Sequence, residues 1–162
     1  MTILGIDPGY AIVGAGLVDY TANQFRLLEA AAITTEPATP FEERLREIHA
    51  GVAARIAAHR PAAMAIEKLF FNTNAKTAID VAQARGVVLL AAAQRQVPVY
   101  EYTPLQVKQS VVGYGRAEKR QVQDMVKLLL RLTACPKPDD VADALAIAIC
   151  HAHSNNSLLR ML

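Results

Sequence analysis

Short apolar runs alternate along this chain with longer segments in which apolar residues recur at helical spacing. The short runs are bounded by turn residues, which is typical of strands. Strands are predicted at Thr2–Asp7, Val13–Tyr20, Phe25–Thr35, Ala63–Glu67 and Pro98–Tyr102. Short links join the first three strands, and this predicts an antiparallel meander.

The longer segments predict helices, because their apolar residues gather on one helical face. These helices are expected at about residues 41–59, 74–95, 104–113, 117–132 and 139–152. Pro40, Pro104 and Pro138 stand at or just before three of the predicted starts, where proline is tolerated.

The order of these elements predicts an α/β fold. Strands that follow a crossover helix pair in parallel through a right-handed connection. We therefore expect a mixed five-stranded sheet, with three antiparallel and then two parallel strands, flanked by helices in a ribonuclease H-like arrangement. The pattern alone also allows other mixed α/β folds. One domain is expected at residues 1–154, followed by a short tail at 155–162.

Composition is consistent with one compact domain, since the chain has 162 residues of which 52% are hydrophobic and 20% charged. Its most apolar uncharged stretch, Gly86–Gln94, is far shorter than the roughly 20 residues that span a bilayer. A cytoplasmic protein without a membrane span is therefore expected. Cys135 and Cys150 have no neighbouring ligand cluster, which favours reduced, structural thiols.

Charge is distributed unevenly along the chain. Residues 1–47 carry seven acids and three bases, whereas residues 48–137 carry thirteen bases and five acids. A basic middle between acidic ends is what a polyanion-binding surface around a carboxylate cluster would produce. The alternative is that the bases merely decorate solvated helix faces.

Four acids interrupt otherwise apolar elements. Asp7 and Glu67 end the first and fourth predicted strands, while Asp140 and Asp143 lie three positions apart in the last helix, on one face. Carboxylates at the margin of a core are costly unless a positive group compensates them. Alone, Asp7 could be a turn residue, and Asp139 or Asp140 a helix cap. The set of four favours a site.

A divalent cation is the simplest compensation for such a cluster. Oxygen ligands without His or Cys favour Mg²⁺ or Mn²⁺ over zinc. Two such ions about 4 Å apart can activate a water and stabilise the leaving oxygen in phosphodiester hydrolysis.

Seven short motifs resemble those of the RuvC-type Holliday junction resolvases, in the family's order and across most of the chain. They are Ile3-Leu4-Gly5-Ile6-Asp7-Pro8-Gly9, Ala65-Ile66-Glu67, Gln83-Ala84-Arg85-Gly86, Gln106-Val107-Lys108-Gln109, Val111-Val112-Gly113, Ala117-Glu118-Lys119 and Ala142-Asp143-Ala144-Leu145-Ala146-Ile147-Ala148. The resemblance implies a homodimeric, Mg²⁺- or Mn²⁺-dependent endonuclease that nicks two opposed strands of a four-way DNA junction. It also implies contacts with the branch-migration proteins RuvA and RuvB.

The resemblance also implies roles for individual residues. The metal ligands would be Asp7, Glu67, Asp140 and Asp143, although relatives can have His at the position of Asp140. Lysines near the active site of the family match two further positions, Lys108 and Lys119, and Phe70 matches the aromatic that stacks on a base at the junction centre. On the residues alone, either lysine could instead be a surface ion pair, and Phe70 a core residue.

Other bases are candidate contacts to the DNA backbone: Lys68, Lys76, Arg85, Arg116 and Arg120. Two symmetric cuts need two active sites about a twofold axis, and the predicted helix 74–95 could supply the dimer interface. The same helix could equally pack on the sheet.

Two other functions compete with the resolvase. A phosphotransferase of the actin and sugar-kinase kind also begins with a strand, an Asp and glycines, but it uses two such domains around a nucleotide. A junction-binding or scaffold module could keep the fold without the chemistry, but all four acids are present here.

Overall fold

A computed structural model describes residues 1–69 and 75–159, with side chains described up to residue 69 and from 77 to 155. The strands are β1 Thr2–Asp7, β2 Ile12–Thr21, β3 Gln24–Thr34, β4 Ala63–Glu67 and β5 Val99–Tyr102. The helices are α1 Phe41–His59, α2 Ala75–Gln94, α3 Pro104–Val112, α4 Lys119–Leu129 and α5 Asp139–Leu159. The predicted order of elements is confirmed.

The five strands form one mixed sheet in the order β3-β2-β1-β4-β5. The first three strands pair antiparallel, and β4 joins β1 and β5 in parallel. This is the predicted topology, and it follows from the connections. Ala22 and Asn23 link β2 to β3 with φ of 51° and 64°, which suits a tight hairpin, whereas the helices α1 and α2 carry the parallel crossovers.

Two helix ends differ from the sequence prediction. Helix α5 continues past Ala152 to Leu159, through a polar segment that gives no apolar periodicity; within it the Ser154 hydroxyl donates to the Cys150 carbonyl at 2.9 Å. Helix α4 ends at Leu129, short of Leu132, because Arg131 takes a φ of 53° that a helix cannot continue.

Each face of the sheet has its own core. On one face, Leu4, Ile6 and Ile66 pack with residues from α1 and α2. On the other face, Ile3 and Ala65 pack with residues from α3, α4 and α5. Side chains along a strand alternate between faces, so the odd-numbered residues of β1 and β4 all point towards α5.

No helix within the described residues is both long enough and apolar enough to cross a membrane.

Candidate active site

Asp7 and Glu67 come together because they end neighbouring strands. β1 and β4 are parallel and pair Ile6 with Ile66, so their carboxyl ends meet at the same edge of the sheet. The alternation that buries Ile6 and Ile66 on one face turns Asp7 and Glu67 to the other. Both carboxylates therefore face α5.

Glycines let α5 approach the sheet closely at this point. Gly14, the β2 partner of Asp7, lies so near α5 that an added Cβ would overlap the Asp140 carbonyl oxygen. A Cβ on Gly5 would likewise overlap the Ala144 carbonyl oxygen. The first turns of α5, which carry Asp140 and Asp143, therefore lie directly over the end of β1.

The charges of the other three acids all act on Asp7, and we refer to Asp7, Glu67, Asp140 and Asp143 as the acid cluster. Burial raises the pKa of Asp7 from 3.8 to about 7, and the charges of Glu67, Asp143 and Asp140 add to the shift, while Lys119 opposes it. Burial also raises the pKa of Glu67, and Asp143 contributes again. The carboxylates thus repel one another in a partly desolvated site.

Among the described residues, Lys119 is the base that forms an ion pair with one of these acids. At the start of α4, its ammonium lies 2.8 Å from Oδ2 of Asp143 and 3.7 Å from Oδ2 of Asp139. The hydrogen bond with Asp143 is the main cause that raises the pKa of Lys119. Its side chain is 55% exposed, so the ammonium remains accessible to a ligand.

A cavity of about 230 Å³ opens between the acids and α3. Glu67, Asp143, Lys108 and Lys119 contribute its polar lining. Its other walls are apolar, from Pro104, Val107, Val122, Ala146 and Ile147. Both predicted lysines therefore share one cavity with two of the predicted acids.

The donor set fits a hard divalent cation, because its ligands are carboxylate oxygens and Asp7 is destabilised by burial and by its neighbours. Across residues 1–69 and 75–159, no three His, Cys, Asp or Glu side chains stand close enough to enclose an ion as they are placed. Lys119 pairs with Asp143. An ion held between these acids would therefore require their carboxylates to take other positions.

The predicted DNA contacts differ in their accessibility. Lys68, Arg116 and Arg120 are exposed. Arg85 is not, since its side chain is only 16% exposed and its guanidinium forms an ion pair with Glu101 of β5. Phe70 and the side chain of Lys76 lie outside the described residues.

The two C-terminal histidines have separate partners. Nδ1 of His151 lies 2.8 Å from the Tyr102 hydroxyl, in the core. His153 contacts Ser110. Cys135 and Cys150 are free thiols.

Sequence reasoning gave two residues near the site no part in it. Asp139 is a helix-cap candidate in the sequence, but it lies within the first turn of α5 and pairs with Lys137 at 2.7 Å as well as approaching Lys119. Gly14 has no side chain and is not among the predicted site residues. The signal was present in the alternation of Gly14 and Gly16 inside an otherwise apolar strand, which marks a close approach by another element.

Comparison with known proteins identifies the family. The family model described as crossover junction endodeoxyribonuclease RuvC matches residues 3–151. RuvC of Desulfitobacterium hafniense is 59% identical over 161 residues, covering 99% of this chain and 98% of that protein. RuvC of Alkaliphilus metalliredigens is 58% identical over 156 residues, covering 96% and 95%.

Solved structures agree with the sequence comparison. Thermus thermophilus RuvC in complex with a Holliday junction substrate superimposes with a TM-score of 0.92 at 42% identity, covering 97% of this chain and 96% of that one. The yeast mitochondrial Holliday junction resolvase Ydc2, at 13% identity and a TM-score of 0.67, shares the fold alone. The predicted ribonuclease H-like fold is confirmed, and the chain belongs to the RuvC family of crossover junction endodeoxyribonucleases.

Proposed function

We propose that this endonuclease resolves four-way DNA junctions by nicking two opposed strands symmetrically, with Asp7, Glu67, Asp140 and Asp143 as the ligands of its catalytic metal. The observation that carries the proposal is the state of Asp7. Its carboxyl is partly buried and repelled by three other acids, which raises its pKa to about 7. Such an acid favours a bound cation over solvent.

Nucleases of this family depend on a metal. Mg²⁺ or Mn²⁺, as a pair of ions in each site, matches the all-oxygen ligand set. When bound, these ions lower the pKa of the attacking water and stabilise the leaving oxygen of the phosphodiester. Asp7 and Glu67 would hold them from the sheet, and Asp140 and Asp143 from α5.

Lys119 and Lys108 would bind the scissile phosphate. The Lys119 ammonium lies beside Asp143 and is exposed enough to reach a second anion. Lys108 lines the same cavity from α3. A cation fixed near the reacting phosphate stabilises the negative charge that develops on its oxygens during cleavage.

Outside the acid cluster, the exposed bases Lys68, Arg116 and Arg120 would contact the DNA backbone. Arg85 has Glu101 as its ion-pair partner. For Arg85 to contact the DNA directly, this ion pair would have to open. Otherwise the pair would support a neighbouring segment that binds the DNA. Phe70 is proposed to stack on a base at the junction centre, and Lys76 to contact the backbone beside it, by the family resemblance.

A homodimer is proposed, with α2 as its interface. Ile79 and Leu90 are 67% and 49% exposed, and an added Cβ at Gly86 between them would meet nothing within 4 Å. These residues lie on one side of α2, and the opposite side packs in the core. An exposed apolar stripe of this kind favours a self-complementary contact.

By the family resemblance the dimer would work with RuvA and RuvB in the cytoplasm, and residues 1–154 would form the nuclease domain ahead of a tail at 155–162.

The experiment that tests the function is cleavage of a labelled four-way junction with and without Mg²⁺, with linear duplex of the same sequence as the substrate control. The wild-type protein should bind the junction without metal, cut it with metal and leave the duplex intact. Asp7→Asn should bind and not cut. Asp124→Asn, which removes an exposed acid of α4, should cut normally. Cleavage by Asp7→Asn at the wild-type rate would refute the assigned ligand.

A further inference from the structure

A buried arginine lies behind the active site. Helix α1 buries one stripe of residues, Arg44, Ile48, Val52 and Ile56, of which Arg44 is the first. Arg44 is only 7% exposed. Within the described residues no carboxylate forms an ion pair with it. Burying a cation is costly unless it is paired or hydrogen-bonded. We therefore expect the hydrogen bonds of Arg44 to be important for the structure around it.

Within the described residues, the Arg44 side chain makes its hydrogen bonds and its ring contact to Thr35 and Tyr10. Its Nε donates to the Thr35 hydroxyl at 2.8 Å, and its Nη2 donates to the Tyr10 carbonyl at 3.3 Å. Its guanidinium carbon also lies 4.9 Å from the centre of the Tyr10 ring. Thr35 completes the arrangement, because its hydroxyl donates to the same Tyr10 carbonyl at 2.7 Å and its amide donates to the Ala11 carbonyl at 3.0 Å.

These contacts converge on the turn at residues 8–11, which begins directly after Asp7 and leads into β2. β2 then pairs Gly14 with Asp7, and Gly14 contacts the Asp140 backbone. The turn therefore connects a strand-end acid to the glycine on which the start of α5 rests. Any shift of the turn changes where the Asp7 carboxylate stands relative to the other acids.

We propose that Arg44 is a positioning residue for the metal site: it fixes the turn at residues 8–11 from the opposite face of the sheet and so keeps Asp7 within the acid cluster. This inference rests on the proposed role of Asp7 as a metal ligand. The hydrogen bonds of Arg44 reach Thr35 and the Tyr10 carbonyl and not the Asp7 carboxylate, so its effect on Asp7 passes through the backbone. Its rigid guanidinium suits this role, because one planar group reaches the Thr35 hydroxyl and the Tyr10 carbonyl together.

The test measures Mn²⁺ binding by the full chain with electron paramagnetic resonance, at a temperature well below that of unfolding. Arg44→Met should weaken Mn²⁺ binding by about 10- to 100-fold, which is the usual effect of removing a group that orients a metal ligand. Thr35→Val keeps the β-branched shape of the side chain and removes one hydroxyl, so it should weaken binding by about fivefold. Junction binding without metal should remain at the wild-type level in both variants.

Two matched variants separate positioning from general destabilisation. Arg55→Met removes another arginine of α1, whose ion pair with Glu29 at 3.0 Å lies away from the turn. Thr34→Val changes the exposed neighbour of Thr35. Both should bind Mn²⁺ like the wild type. Equal weakening by Arg55→Met, or wild-type affinity in both Arg44→Met and Thr35→Val, would overturn the inference.

Asp7→Asn distinguishes this inference from the proposed function. If Asp7→Asn loses Mn²⁺ binding while Arg44→Met and Thr35→Val keep it, the metal site stands and the role of Arg44 is refuted. If Asp7→Asn binds Mn²⁺ as the wild type does, the ligand assignment fails and the inference fails with it.

Discussion

Lys119 and Asp143 form an ion pair of 2.8 Å that joins the first residue of α4 to the acid cluster on α5. The hydrogen bond that the Lys119 ammonium donates to Asp143 raises the pKa of Lys119, so the ammonium stays charged throughout the neutral range. The lysine thus lies where it can contact both a proposed metal ligand and an incoming phosphate, and this proposed double contact predicts how its loss will act.

Lys119→Ala should slow cleavage much more than it weakens junction binding. Removing one group that stabilises developing charge costs on the order of 100-fold in rate, whereas one phosphate contact among many adds little to affinity. Single-turnover cleavage and a gel-shift titration measure the two effects. Lys127→Ala, on the same helix, is the control and should leave the cleavage rate unchanged. Equal losses of rate and affinity in Lys119→Ala would place the lysine in general DNA binding.

Asp7 should destabilise the metal-free protein as the pH rises. The pKa of Asp7 in the folded protein, about 7, lies above the ordinary value of 3.8. The contribution of Asp7 to the free energy of unfolding is therefore most favourable below pH 4 and is lost between pH 4 and 7. The full difference amounts to about 4 kcal/mol at most. Asp7→Asn should therefore unfold at a higher temperature than the wild type in EDTA at pH 8, with the advantage shrinking towards pH 4.

Asp19→Asn is the control for this stability measurement. The N-terminal ammonium lowers the pKa of the Asp19 carboxyl, so this acid stabilises the fold above its ordinary pKa, and its removal should lower the unfolding temperature at pH 8. An Asp7→Asn variant that melts below the wild type at pH 8 would show that burial and repulsion do not dominate the Asp7 environment.

Gly14→Ala should damage the site through packing. The added Cβ would overlap the Asp140 carbonyl oxygen, and backbone cannot rotate away, so α5 must shift at a cost of about 1–3 kcal/mol. Thermal unfolding and junction cleavage should both suffer. Gly51→Ala is the matched comparison, because the atoms nearest to its added Cβ all belong to the Ile33 side chain, which can shift. Equal cleavage by the two variants would argue against close packing of α5 as the source of site geometry.

Leu90→Glu should dissociate the proposed dimer. Leu90 is 49% exposed on the apolar stripe of α2, and a buried charge without a partner would oppose the contact. Sedimentation equilibrium should show a monomer. Leu128→Glu introduces the same charge at a residue of α4 that is 69% exposed, and it should leave the association state unchanged. A dimer that survives Leu90→Glu would exclude this side of α2 as the interface.

Much of the site could be predicted from sequence because its parts are local. Asp7 and Glu67 each end an apolar run, so the strand pattern alone assigns them to strand ends, and the connections bring those ends together. Asp140 and Asp143 share a face at helical spacing. Each of these steps uses only neighbouring residues and the rule for parallel crossovers.

The contacts that could not be predicted join residues far apart in the chain. From the sequence alone Arg85 is a candidate contact to DNA, but in the fold it forms an ion pair with Glu101 of β5. Arg44 likewise lies in the buried stripe of α1, whereas its apolar neighbour Leu45 is only partly buried. Side-chain partners of this kind depend on register between elements, which hydrophobic periodicity does not specify.

The central claim is that the acid cluster binds a divalent cation, and the pH dependence of Mn²⁺ affinity tests it most directly. Because the ion must displace the proton from Asp7, its affinity should rise about tenfold for each unit of pH up to pH 7. Above pH 7 the affinity should stay constant. Asp7→Asn should lose both the affinity and its pH dependence, and Asp124→Asn should keep both. Mn²⁺ binding by Asp7→Asn with the wild-type affinity and pH profile would contradict the claim.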